Sequence, residues 1–330
     1  MKELLFLVSI LNSIYPKISV KPKTLKDINM SRLLKIAEKN NLLYYVCHIL
    51  KNEYSATLSE NDLIKIEKIL ENGEEEIKKI NKSIKYLNAK LSEYVLIKTY
   101  RGYPRIANDL DVFVKDFDKA IKILSNNFSS KDYDKKTKEV LFLKEDFAKI
   151  HLHGKINWLN RSYFDFKFIR EDSRDVFFGE ERVAIPNFSA DAIIHLAHMN
   201  FEPMHFTLSE LLYIFSIVDK IDFEKLFKQS KKYNWHGALM KTLQILEDFH
   251  FYFYKKPLLS AKVPSLKERH FSDDYYCLPK SFPRTHIIKA FLGKGVLVEP
   301  ILKIRKVFNV LVSGDSYDNF YEAPERNIKK

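Results

Sequence analysis

The chain has 330 residues, 46% of them apolar, enough for one or two packed domains and too many for general disorder. Lys and Arg outnumber Asp and Glu by 55 to 43, and the net charge of +12 fits an anionic partner (nucleic acid or a nucleotide phosphate tail) or a lysine-rich solvated surface. Eight glycines with no G-x-G-x-x-G or G-x-x-x-x-G-K leave Rossmann and P-loop readings without their fingerprint, and two distant cysteines, Cys47 and Cys277, exclude a disulfide framework and a cysteine zinc site.

The first residues, MKELLFLVSILNSIYP, read as an amphipathic helix rather than a signal peptide: Glu3 falls in the charged region and no small-residue cleavage site follows. No other segment approaches the roughly 20 apolar residues of a membrane helix. A reducing, cytoplasmic setting with no membrane partner is expected. Residues 1–92 form a helical region. Leu33, Leu34, Ala37, Leu42 and Val46 recur near helical spacing, with Ser31 as N-cap. Ser59 opens a long charged helix that Gly73 is expected to interrupt.

The period changes at Val95–Ile97, a short β-branched run. A polar, Pro-containing loop leads to a second run, Leu110–Val114. Ala120, Ile121, Leu124 and Phe128 then share a helix face. Val140–Leu143 and Lys149–Leu152 read as two further strands. Residues 93–185 are therefore expected to hold a small mixed sheet with a helix against it. From Ser189, read as an N-cap, the helical period returns through 186–330. The tail after Pro257 is weaker.

Asp109 and Asp111 lie two apart at the start of the second strand, on one face. Side by side, two carboxylates repel unless a cation or solvent compensates them. Lys98, Arg101 and Arg105 precede them in the loop and suit a triphosphate.

With these positions the chain resembles the uncharacterised nucleotidyltransferase family of the polymerase-beta-like superfamily. That family's core reads Leu-Lys-Gly, then Arg, three residues and Asp-x-Asp, with a later strand ending in Asp-x-His. The matching positions are Ile97-Lys98-Thr99, Arg105, Asp109-Leu110-Asp111 and His151-Leu152-His153, with Trp158 following. The flanks "LLKIAEKNNLLYYVCHIL" and "ADAIIHLAHMNF" are similar to the family's helices, so the resemblance spans roughly residues 30–250. Two positions depart from it. Thr99 replaces the glycine after the first strand, and His151 replaces the third carboxylate.

The resemblance implies an α+β fold: a small mixed polymerase-beta-like sheet flanked by N- and C-terminal helical regions. It implies transfer of NMP from an NTP to an acceptor hydroxyl with two bound Mg²⁺ or Mn²⁺ ions. Asp109 and Asp111 would be catalytic and hold metal together with His151. Lys98, Thr99 and Arg105 would bind the nucleotide, and Arg101 is added to them by its proximity in the loop. A His ligand tilts the site from Mg²⁺ towards Mn²⁺ or Zn²⁺, and Asp165 is a substitute acid. His195 and His198 suit helix packing or a substrate pocket more than metal, because no Glu stands between them as in H-E-x-x-H. The basic charge suggests RNA, such as a tRNA end, as acceptor. Lys228, Lys231 and Lys232, and Lys303, Arg305 and Lys306, would supply its binding surface. A small-molecule acceptor and a catalytically silent binding or toxin–antitoxin module are the alternatives.

Overall fold

The computed structural model describes residues 2–11 and 25–266, apart from 104, 108, 136–137, 159–160, 165, 172, 202–206, 261 and 264–265. Met1–Tyr276 forms one compact unit and Cys277–Lys330 a second, which lies outside the described residues, as do Lys303, Arg305 and Lys306. Asp165 and the side chain of Trp158 lie outside them too.

Four helices come first: α1 (Lys2–Ile10), α2 (Met30–Lys39), α3 (Leu43–Tyr54) and α4 (Glu60–Lys90). The cap of α2 is Asn29, whose side chain accepts from the Arg32 amide, and not Ser31. Asn29 takes an extended backbone, while Ser31 is already inside the first turn. Ser59 caps α4 as expected, accepting from the Asp62 amide.

Gly73 does not interrupt α4, which runs unbroken for 31 residues. A Cβ at Gly73 would meet the Tyr44 ring at 2.2 Å and the Ile106 side chain at 2.8 Å. This glycine is a packing notch where α3 and the loop leading to Asp109 close on α4, and the loss of helix propensity is offset by that approach.

All strands of the described residues lie between Tyr94 and Ile185. β1 (Tyr94–Ile97), β2 (Leu110–Val114), β3 (Ser129–Asp134), β4 (Glu139–Leu143) and β5 (Ile150–His153) make a mixed sheet in the order β1-β2-β5-β4-β3. Only the β2–β5 pair is parallel. α5 (Phe117–Ser125), capped by Asp116, makes the crossover with β3 and β4. Two hairpins follow, β6 (Ile156–Trp158) with β7 (Arg161–Phe164), and β8 (Arg174–Phe178) with β9 (Glu181–Ile185), separated by the short α6 (Phe166–Arg170).

α7 (Phe188–Phe201), α8 (Leu208–Ile217), α9 (Phe223–Lys232) and α10 (His236–Tyr254) complete the unit. Asn187, rather than Ser189, accepts from the Ala190 amide at the start of α7. The Ser189 hydroxyl instead accepts from the Asp222 amide and ties α7 to α9. Among the described residues no helix is long and apolar enough to cross a membrane.

Strand parity decides where the core and the polar groups go. Leu96, Leu110, Val112, Val114, Val140, Phe142, Ile150 and Leu152 are even-numbered and buried in one apolar cluster with α5 and the C-terminal half of α4. The registers Leu96↔Val112↔Leu152↔Val140 keep them on one face. The opposite face carries Val95, Ile97 and Phe113, which join the helical core, and it also carries the polar odd-numbered residues.

Candidate functional site

On that opposite face the registers align Asp111 with His151, and Phe113 with His153. Across the next pair His153 stands opposite Glu139. Asp109, one pleat before Asp111, adds its charge to the same place. The Asp111 carboxylate is buried, and its Oδ1 is the meeting point. His153 Nε2 lies 2.8 Å away, His151 Nδ1 3.5 Å and Lys98 Nζ 3.5 Å. His153 Nδ1 lies 3.7 Å from Glu139 Oε1. The two imidazoles lie side by side with ring centroids 4.0 Å apart and planes tilted by 49°.

Burial alone would raise Asp111, but the Lys98 charge and the bonds from His151 and His153 outweigh it and hold the carboxyl well below its usual range. Asp109 moves the other way: burial and the Asp111 charge raise it, against weaker opposing pulls from Lys98 and the histidines. The neighbouring acids are thus pulled apart, Asp111 as the firm anion and Asp109 as the one that keeps a proton longer. Burial by itself lowers His153, yet its bonds and attraction to Asp111 and Glu139 prevail and raise it.

Asp111, His151 and His153 each offer one ligand atom, and these atoms all lie within 4.8 Å of one another. One carboxylate and two imidazoles fit a borderline cation such as Mn²⁺ or Zn²⁺ better than Mg²⁺, which prefers oxygen. Asp109 stands beside this trio without being one of the three. Glu139 stands where a carboxylate orients a ligating histidine through its second nitrogen.

The loop between β1 and β2 distributes the basic residues. Lys98 takes a left-handed backbone, φ 56°, which turns the chain out of β1 while its ammonium stays on Asp111. Thr99 is buried, and its hydroxyl donates to the Ile97 carbonyl. Arg105 donates from Nη1 to the Lys98 carbonyl at 3.2 Å, bracing the turn, and burial pushes its pKa down to about 10, still charged at neutral pH.

Arg101 reaches away from the acids. Its Nη1 meets Nε2 of the fully buried His195 on α7. His195 Nε2 lies 3.5 Å from Asp191 Oδ1, and the Tyr213 hydroxyl donates to Asp191 Oδ2. Arg174 Nη2 lies 3.7 Å from the same oxygen. Burial, then the Arg101 charge, keeps His195 well below its ordinary value, so it stays neutral. His198 pairs with Glu210 at 3.1 Å.

Lys98, Asp109, Asp111 and His151 therefore meet at one place. His153 binds Asp111 more closely than His151 does, a role signalled by its spacing two residues further along the strand. Glu139, Asp191 and Tyr213 had no local signal, because their positions depend on strand pairing and helix packing. No protein-family model, curated protein or solved structure matches the chain.

Proposed function

We propose that this protein is a metal-dependent nucleotidyltransferase of polymerase-beta-like architecture, in which an acceptor hydroxyl attacks the α-phosphate of an NTP, takes up NMP and releases pyrophosphate, with RNA as the preferred acceptor. The observation that supports this reading best is the convergence of Asp109, Asp111, His151 and His153 on one sheet face with Lys98 at the rim.

Asp111, His151 and His153 would hold the ion, with Asp109 adjoining. A divalent cation there would polarise phosphate oxygens and favour ionisation of the acceptor hydroxyl. Lys98, released from Asp111 by the incoming cation, can attract phosphate. Arg105 keeps the Lys98 turn in place through its carbonyl. Asp109 is the group whose proton affinity suits receiving a proton from the acceptor.

The test is incubation with each labelled NTP, Mn²⁺ or Mg²⁺ and total RNA. Labelled RNA that disappears in Asp111→Asn supports the reading. Label on a small acceptor, with little salt dependence, moves the acceptor class. A specific observation favours a second reading, a catalytically silent binding module: Asp111 Oδ1 is already shared by Lys98, His151 and His153. Absence of label on any acceptor with every ion supports that reading instead.

A further inference from the structure

We propose that the cavity beyond the tip of the β1–β2 loop is a second anion site, which takes a nucleoside monophosphate: one phosphate and one planar ring. The cavity, about 400 Å³, lies within the range of small-ligand pockets. Among the described residues its lining includes three cations, Arg101, Arg174 and Lys220, and no carboxylate. The inference stands on this cavity alone and does not require the nucleotidyltransferase reading.

The cations rest on aromatic faces. The Arg101 guanidinium lies 5.0 Å from the Tyr213 ring centroid, Arg174 4.1 Å from that of Phe188, and Lys220 Nζ 4.6 Å from the same Phe188 ring. A neutral ring positions a cation without cancelling its charge, so the charge remains for an anion. Two acids outside the lining act on Arg101 through their charge: Asp191, which also engages Tyr213, Arg174 and His195, and Glu210, which pairs with His198. Arg101 is 6% exposed, its Nη1 faces an imidazole rather than a carboxylate, and its Nε has no hydrogen-bond partner. A buried guanidinium donor left without an acceptor is costly, and a ligand oxygen in the cavity would satisfy it.

Two planar forks and one ammonium match a phosphate, which has three oxygens to share. The ring requirement comes from the rest of the wall: Tyr45 and Tyr103 line the same cavity, with centroids 5.4 Å apart. They offer π faces on which any base can stack. Gly102, at the loop tip with φ +73°, lets Arg101 and Tyr103 both border the cavity.

AMP is the probe, titrated into the full chain by calorimetry with EDTA present. The expected Kd is below about 1 mM, with adenosine and inorganic phosphate each at least tenfold weaker. Lys220 is exposed and rests on the rim ring Phe188, so Lys220→Glu should keep the fold, which circular dichroism checks. It should weaken AMP at least tenfold. Tyr45→Leu should weaken AMP and leave phosphate unchanged, while Asp109→Asn should bind AMP like wild type. No binding below about 1 mM, equal affinity in Lys220→Glu, or phosphate binding as tightly as AMP would each overturn the proposal. Loss of AMP binding in Asp109→Asn would overturn it too, by placing the phosphate at the acidic centre. Label transfer without AMP binding sinks this proposal alone; AMP binding without transfer sinks only the catalytic one.

Discussion

His153 Nε2 and Asp111 Oδ1 lie 2.8 Å apart across the parallel β2–β5 pair, and both side chains are almost fully buried. Asp111 is therefore held as an anion by Lys98, His151 and His153, whose attraction outweighs its burial. Asp109, next to it, has burial and a like charge working against its ionised form. The two acids of one short motif should behave oppositely.

Asp111→Asn is expected to destabilise the protein by about 2 kcal/mol or more, because Lys98 and His153 are left facing a neutral amide in a buried site. Asp109→Asn should be neutral or slightly stabilising, since it removes the repelled partner. Urea unfolding of both variants checks this. Equal losses would mean that the acids share one environment. Both variants should lose nucleotide transfer if the proposed chemistry holds.

Metal preference follows from the donor atoms. Mn²⁺ should bind more tightly than Mg²⁺, and Co²⁺ should give a visible absorption band from imidazole ligation. His153→Gln should weaken either binding event roughly ten- to a hundredfold. Tighter Mg²⁺ than Mn²⁺ binding in the wild type would remove the histidines from the ligand set.

Gly73→Ala should destabilise despite the gain of about 1 kcal/mol in helix propensity. The added methyl would need the Tyr44 ring and Ile106 to move, at a cost of about 1–3 kcal/mol. Chemical denaturation gives the sign. A more stable variant would show that α3 and the loop yield freely.

Acid stability has an identifiable carboxylate. Burial alone would raise Glu210, but the His198 bond and charge, the Arg101 charge and the Thr207 amide bring its pKa from the ordinary 4.5 down to about 2. A depressed folded-state pKa stabilises above the unfolded value and loses that effect as pH falls. The Glu210 contribution should be complete above about 4.5 and fade towards about 2. Glu210→Gln should flatten the stability profile across that window. An unchanged slope would place the acid sensitivity elsewhere.

The exposed residues Lys228, Lys231 and Lys232 fall at helical i, i+3 and i+4 on α9. If RNA is the acceptor and lies along this face, replacing all three by Gln should lower the log–log salt slope of RNA binding by about 2. NTP affinity should stay the same. An unaltered slope removes α9 from the RNA path.

The strands β1, β2, β4 and β5 were legible as short runs rich in β-branched, aromatic and aliphatic residues bounded by polar segments. Leu110–Val114 is such a run, with Asp111 as its one charged member. β3 was not legible: Ser129–Asp134 is exposed along its whole length and has no apolar face. It is a strand because β4 offers an edge. The hairpins β6–β7 and β8–β9 are short, and Arg174–Phe178 carries only one buried residue, Val176. At the site, the spacing of Asp109, Asp111, His151 and His153 sufficed to place them on common faces. Arg101 was assigned to the acids by proximity in the chain, but the loop turns it towards α7. Chain distance gives no information about direction once a residue such as Lys98 takes a left-handed backbone.

Odd and even positions in this sheet divide labour between chemistry and cohesion, and the division has no tolerance for a change in chain length. A single-residue insertion before Ile150 would carry His151 and His153 into the hydrocarbon layer against α5 and bring Ile150 and Leu152 out beside Asp111. Point replacements can therefore tune the centre, whereas length changes inside β2 or β5 would invert it. Length changes should therefore be tolerated only in the connecting segments, leaving side-chain exchange on a fixed frame as the way to alter the site.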